Sequence, residues 1–258
     1  MISLTQFSRV DIFQIGCGGT GSWLVPLVSK LANNIKLRSP EKFINYTIID
    51  NDIVEDKNIL RQNFSSWDIG KNKAHSLLNR YIFEFEDLKI STNQIRKIQN
   101  NPIIESVFEF SQTGINSPML LIILGCGDNN NLRQLLFKLS KKVAKKNPKI
   151  SIIYIDSGNL LHNGQIVTKV FNHIEDNQQD LFKKEKKRKI NFLKMFQIEV
   201  GDDNISQQSC AFFGDQSQAI NTMAATLMFI NLQKILISSE LPPELVTFNS
   251  SGYSTFEL

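Results

Sequence analysis

Val10-Asp11-Ile12-Phe13-Gln14-Ile15-Gly16-Cys17-Gly18-Gly19-Thr20-Gly21 decides the fold. A short apolar run breaks at a cluster of glycines, and Trp23, Leu24, Leu27, Val28 and Leu31 then recur at helical spacing. Strand, glycine turn and helix N-terminus together make an anion site, with unpaired backbone N–H groups at the positive end of the helix dipole. Glycine is needed where backbone must approach a phosphate with no Cβ in the way. A Gly-x-Gly-x-x-Gly pattern alone is weak, but here it follows a strand and opens a helix, the context it requires. A tight strand-to-helix turn with no ligand is the competing account. Gly16, Gly18, Gly19 and Gly21 are therefore candidate nucleotide contacts.

The next segment outward is Tyr46-Thr47-Ile48-Ile49-Asp50-Asn51-Asp52, followed by Val54, Glu55, Asn58, Arg61 and Gln62. The spacing predicts a loop over residues 33–43 and a second strand from Phe43 to Ile49. Two aspartates beyond a buried strand are poor chemistry for burial, because ionised carboxylates require water, cations or sugar hydroxyls. In a dinucleotide fold an acidic residue at this place takes the ribose hydroxyl, so Asp50 leaves NAD open. Arg61 is a bidentate donor suited to phosphate oxygens. Ile69-Gly70-Lys71-Asn72-Lys73 starts a helix running to about Phe83. Lysines at a helix N-terminus oppose the dipole unless an anion lies there; Lys71 reads as a solvated surface lysine.

Further along, a third strand is expected over Leu88–Ile95 and a short helix over Ile103–Phe110. Met119–Leu124 is continuously apolar, as a central parallel strand covered on both faces should be. It ends at Gly125-Cys126-Gly127-Asp128-Asn129, before a helix carrying Leu132, Leu135, Leu136, Leu139 and Val143. Ligands in such sheets collect beyond the carboxyl ends of strands, which places Asp128 and Asn129 in one crevice with the glycine loop and Asp50. Capping of the helix by Asp128 or Asn129 is a second role that does not compete with the first. Ile150–Ile155 is another buried strand ending at Asp156, and Gly164–Phe171 an antiparallel extension. Residues 174–212 read as a mobile crossover loop, its Lys183–Lys189 run solvated rather than bound to nucleic acid. A long helix over about Gln216–Ser238 and a closing hairpin, Val246–Phe248 with Tyr253–Phe256, complete the chain.

The totals narrow the function. Hydrophobic residues at 41% and charged residues at 21% describe an ordinary soluble globular protein of 258 residues, read as one domain over 1–258. A net charge of +4, much of it in one run, does not imply nucleic acid. Three scattered cysteines, with no Cys-x-x-Cys pair, form neither a disulfide framework nor a structural zinc site. With no signal-like start and no long apolar span, a cytoplasmic location is expected. The fold class is α/β: a Rossmann-like, mainly parallel sheet with helices on both faces, an antiparallel extension and a C-terminal β-hairpin.

Taken together, Gly16-x-Gly18-Gly19-x-Gly21, Asp50-x-Asp52-x-Val54-Glu55-x-x-Asn58-x-x-Arg61-Gln62, Gly70-x-x-Lys73 and Cys126-x-Asp128-Asn129-x-x-x-Arg133 resemble the ThiF/MoeB-type ubiquitin-like-activating enzymes. The match covers roughly residues 10–170. The resemblance implies Mg-ATP-dependent adenylation of the C-terminal carboxylate of a small ubiquitin-like or sulfur-carrier protein, with release of pyrophosphate. It implies that Gly19 lies near the nucleotide, Asp50 on the ribose, Asn58, Arg61 and Lys73 on the phosphates, and Asp128 on magnesium with Asn129 beside it. Asp52 and Gln62 belong to the same cofactor-binding stretch. It also implies a partner with a glycine-ended tail and a homodimer; no zinc is expected. The chain departs from relatives that carry an N-terminal helix donating an arginine to the neighbouring subunit, and Arg9 is the nearest stand-in. Cys210 occupies the place where thioester-forming members carry a nucleophile, and proximity to a helix N-terminus favours a thiolate; a small buried hydrophobe is the alternative. Other readings are a peptide or tRNA acceptor, an NAD-binding Rossmann protein, and a catalytically inactive partner subunit.

Overall fold

Along the first strand Val10 and Ile12 pack into one apolar cluster while Phe13 and Ile15 pack into another, the period-two alternation of a strand buried on both faces. The structure is a computed structural model that describes residues 4–82, 90–92, 117–127, 129–171, 217–250 and 252–256. In chain order its principal elements are β1 (Arg9–Ile15), α1 (Gly19–Arg38), β2 (Phe43–Ile49), α2 (Asp56–Ile59), α3 (Lys73–Tyr81), β3 (Ile90–Thr92), β4 (Met119–Gly125), α4 (Asn130–Lys146), β5 (Ile150–Asn159), β6 (Asn163–Phe171), α5 (Gln218–Leu236), β7 (Leu245–Asn249) and β8 (Gly252–Phe256).

The strands form one eight-stranded sheet in the order β3-β2-β1-β4-β5-β6-β7-β8. The first five run parallel and the last three antiparallel. Thus the expected mixed α/β sheet, its antiparallel extension and its closing hairpin are present. One face carries α1, α3 and α5, with Leu24, Val28, Leu77, Ala224 and Leu232 among the buried contacts; α4 covers the other with Leu132, Leu136 and Leu139. Every residue of β4 is buried, and each such aliphatic side chain contributes roughly 1.5–3 kcal/mol through removal from water.

Connectivity reverses between β1 and β4: β2 lies on one side of β1 and β4 on the other. Ile15 stands opposite Ile49 in β2 and Gly125 in β4, so the three strands end level. Loops leaving them meet in one crevice, the topological switch point at which doubly wound sheets hold ligands.

Several boundaries differ from expectation. Residues 33–38 are helical, because Leu31, Ala32 and Ile35 continue the buried stripe of α1. Lys36 and Arg38 complement the dipole in its last turn, and Ser39 N–H closes it on Ile35 O. The third helix begins at Lys73, since Asn72 accepts from His75 N–H at 2.9 Å and caps it. β5 continues through Asp156–Asn159, where pairing with Val167, Ile166, Gln165 and Gly164 extends the ladder. The expected helix at Ile103–Phe110 and the loop 174–212 lie outside the described residues, as does most of the strand expected over Leu88–Ile95.

Candidate functional site

Gln14, a polar residue within the apolar run of β1, is fully buried and holds the glycine turn together. Its Nε2 donates to Gly16 O at 3.1 Å and Gly21 O at 2.9 Å, while Tyr46 Oη donates to its Oε1 at 2.6 Å. Gly16 has φ +101°, and a Cβ there would lie 2.7 Å from Cys126 O; one on Gly21 would lie 2.0 Å from Gly16 O. The turn is thus pressed against both β4 and its own helix. Among the described residues no side chain caps α1 at Gly18, and no acidic residue occupies its first turn. Its leading N–H groups therefore present a positive end to the crevice.

Asp50 closes one wall. It is buried, and its Oδ2 accepts from Cys17 N–H at 2.6 Å while Oδ1 accepts from Asp52 N–H at 2.8 Å. Burial pushes its carboxyl above the ordinary carboxylate range, against the opposing pull of the Lys73 ammonium and those two N–H donors. Asp52 is exposed, and Lys73 Nζ, on a largely buried stem, reaches its Oδ2 at 3.1 Å. Asn72 Nδ2 ties the same turn down at Asp50 O (2.9 Å) and Asp52 O (3.2 Å). The carboxylates beyond β2 and the lysine of α3 are thereby brought together. Lys71 is exposed.

Asn58 is buried in the single turn of α2, where its Oδ1 accepts from Glu55 N–H at 2.9 Å in a capping box. Arg61 follows, half-buried, with its carbonyl oxygen accepting from Trp23 Nε1 and from Asn221 Nδ2, each at 3.3 Å. Gln62 is buried beside the glycine turn: its Nε2 lies 3.9 Å from where a Gly18 Cβ would stand, and among the described residues its Oε1 has no hydrogen-bond partner. A buried amide oxygen without a partner costs about 1–3 kcal/mol, a cost that a hydroxyl or amino group arriving in the crevice would offset.

At the exit of β4, Asp128 lies outside the described residues. Asn129 caps α4, its Oδ1 accepting from Asn131 N–H at 2.8 Å and Leu132 N–H at 3.4 Å. Arg133 anchors this exit: it donates through Nη2 to Gly127 O (2.8 Å) and Ser157 O (2.9 Å), through Nη1 to Asn130 Oδ1 (3.0 Å), and through Nε to Asp156 Oδ1 (3.1 Å). Tyr154 Oη also donates to Asp156. Burial pushes the Asp156 carboxyl up to about 6, opposed by Arg133 and Tyr154.

The cysteines divide. Burial drives the Cys17 and Cys126 thiols well above their ordinary value, so both stay protonated and neither is suited to be a nucleophile. Cys210 lies outside the described residues. Arg9 is at the far end of β1 from the crevice, where it pairs with Asp11 at 2.7 Å and stacks over Phe43 at 5.6 Å. Among the described residues no group of three or more His, Cys, Asp or Glu could hold a metal, and no helix is long and apolar enough to cross a membrane.

Sequence reasoning missed Gln14, Asp156, Trp23 and Asn221 as parts of this site. For Gln14 a signal existed, since a glutamine inside a two-faced buried strand needs a full set of partners. For the others the decisive fact is a contact between distant elements.

The profile of the ThiF family matches residues 3–257. Solved structures are similar in fold. E. coli MccB with a succinimide superposes at a TM-score of 0.59, with 16% identity over 96% of this chain and 63% of that one. PaaA gives 0.59 with 17% identity over 97% and 72%. E. coli MccB with ATP gives 0.57 with 15% identity over 96% and 62%. The chain therefore spans less than two thirds of the MccB chains. A comparison with curated proteins finds no match.

Proposed function

The chain belongs to the ThiF family, and on that premise we propose that it uses ATP to adenylate a carboxylate, releasing pyrophosphate. The observation that carries this reading is the crevice beyond β1, β2 and β4. There the N-terminus of α1 has Gln62 beside it and Asp50 bound to the Cys17 N–H just before it, and Lys73 reaches the adjacent Asp52. These groups fit a nucleotide. The α1 N–H groups and Lys73 suit phosphate oxygens, Asp50 suits ribose hydroxyls, and Gln62 Oε1 accepts from a hydroxyl or amino group. ATP supplies the activated adenylyl group, with pyrophosphate as the leaving group. The chain's part is to hold it in line and to meet the charge that develops on phosphoryl and pyrophosphate oxygens with fixed cations, Arg61 and Lys73. Asp128 is assigned to magnesium, held through ATP, with Asn129 next to it.

The acceptor we favour is the C-terminal glycine carboxylate of a small ubiquitin-like or sulfur-carrier protein, followed by thioester formation on Cys210, in a cytoplasmic homodimer. A peptide acceptor is the second reading, favoured by the fold's likeness to MccB, whose solved structures include complexes with MccA. ATP–pyrophosphate exchange with each candidate acceptor separates the two. Dependence on a small modifier supports the first, and dependence on a peptide the second. Absence of exchange with any acceptor, in a protein that binds ATP, points to an inactive subunit. Arg61→Ala and Asp128→Ala are each expected to lower exchange at least 100-fold without unfolding the chain. Cys210→Ser should retain exchange and lose the thioester.

A further inference from the structure

We propose that Asn221 and Trp23 are positioning residues for Arg61, clamping its main-chain carbonyl from two helices and so fixing where its guanidinium can reach. The proposal takes the role of Arg61 from the nucleotide reading above, but the clamp is a property of the chain alone.

The geometry is specific. Trp23 Nε1 approaches Arg61 O from α1 and Asn221 Nδ2 approaches it from α5, each at 3.3 Å. Asn221 has no exposed surface and lies 160 residues from Arg61 in sequence. A buried amide on an otherwise apolar helix face is costly unless both of its ends are satisfied. Here they are: Asn221 Oδ1 accepts from Asn159 Nδ2 at the end of β5, and Asn159 Oδ1 accepts from Thr20 Oγ1 at 3.2 Å. A relay of side chains thus runs from the first turn of α1, through β5 and α5, to the carbonyl of Arg61. It links the helix end assigned to the phosphates with the arginine assigned to them.

Two residues beyond Arg61, Asn63 is fastened to α1. Asn63 N–H donates to Ser22 Oγ at 3.0 Å, and Asn63 Nδ2 donates to Ser22 O at 3.1 Å and Tyr81 Oη at 2.9 Å. The buried Asn231, farther along α5, donates to Thr168 Oγ1 at 3.0 Å and among the described residues has no link to Arg61. Burial of an amide in α5 therefore does not by itself demand contact with the crevice; Asn221 makes that contact. Because errors of about 1 Å in a reacting arrangement lower rates about 100-fold, losing one of two donors on this carbonyl should be felt at the phosphates.

The test uses Asn221→Ala and Trp23→Phe in the full chain, with two readouts. In the ligand-free protein, amide hydrogen exchange over residues 58–64 should quicken at least fivefold in each variant, while exchange in β4 stays unchanged. In ATP–pyrophosphate exchange, KM for ATP should rise about tenfold in each, and the double variant should be no worse than the poorer single one, since both act on one carbonyl. Trp23→Phe keeps the ring, so it carries the test if Asn221→Ala fails to fold. Unchanged amide exchange in both variants overturns the clamp, whatever the protein does with ATP. Quickened amide exchange with an unchanged KM overturns its role in placing Arg61. A parent chain that neither binds nor turns over ATP removes the nucleotide reading instead, and amide exchange still decides whether the clamp exists.

Discussion

Asp156 has no exposed surface, yet it carries a carboxylate into the centre of the sheet. Arg133 and Tyr154 both donate to it, and Arg133 also donates to Gly127 O, Asn130 Oδ1 and Ser157 O. The two residues bracket the exit of β4, where Asp128 stands in the sequence. An ion pair buried this deeply adds little net stability, but breaking it by removing one partner typically costs 3–5 kcal/mol. The pair also sets a pH dependence. Folded Asp156 titrates at about 6, and an unfolded aspartate near 3.9. Between those values the folded chain holds the extra proton, so the stability this group contributes is full below about pH 4 and lost by about pH 6. The difference in unfolding free energy between the parent and Asp156→Asn should therefore fall, to the parent's disadvantage, by up to about 3 kcal/mol across that window. Urea titrations at intervals from pH 4 to 7 would measure it. A constant difference means that Asp156 ionises in the native state as it does in water.

At the scale of elements, the turn between β1 and α1 was readable in the sequence because its grammar is local. A strand-length apolar run, glycines and a helical stripe lie within about twenty residues, and each obeys its own periodicity. The end of α1 was less readable. Asn33 and Asn34 look like loop residues, and only the burial of Ala32 and Ile35 against neighbouring elements keeps the helix going. The prolongation of β5 was hidden for the same reason: Asp156 in a strand makes sense only once Arg133 is across from it. Two of the three described glycines at positive φ separate conformational need from packing need. Gly70 has φ +78° and open space around its missing Cβ, whereas Gly16 has φ +101° and a carbonyl oxygen 2.7 Å from it. Gly70→Ala should cost about 1 kcal/mol, the strain of the left-handed region. Gly16→Ala adds displacement of the β4 exit and should cost about 3 kcal/mol or more. Equal losses in denaturant midpoint for the two variants would refute the close approach of the glycine turn to β4.

At the scale of the molecule, one sheet supports one crevice, and its walls come from segments far apart in the chain. The places of Gly18, Asp50 and Lys73 in the fold were legible, since each lies just beyond a strand or at a helix start. Asn221 and Asn159 were not, because the packing of α5 against β5 that brings them together leaves no pattern in either segment alone. This assembly predicts how the whole fold responds to ligand. Anything that binds only the native state stabilises it by RT ln(1 + [L]/Kd), about 2.7 kcal/mol at a hundredfold excess over Kd. For a chain of this size that corresponds to a rise in Tm of roughly 5–10 °C. ATP with magnesium should produce such a rise and NAD should not, because Arg61 and Lys73 suit a phosphate chain ending in a free triphosphate. Arg61→Ala should shrink the ATP shift while leaving the Tm of the free protein within about 2 °C of the parent, its residue being only half-buried. A shift with NAD and none with ATP would transfer the crevice to a dinucleotide and leave adenylation without its substrate. A shift with both that Arg61→Ala does not alter would keep the nucleotide but move its phosphates away from α2.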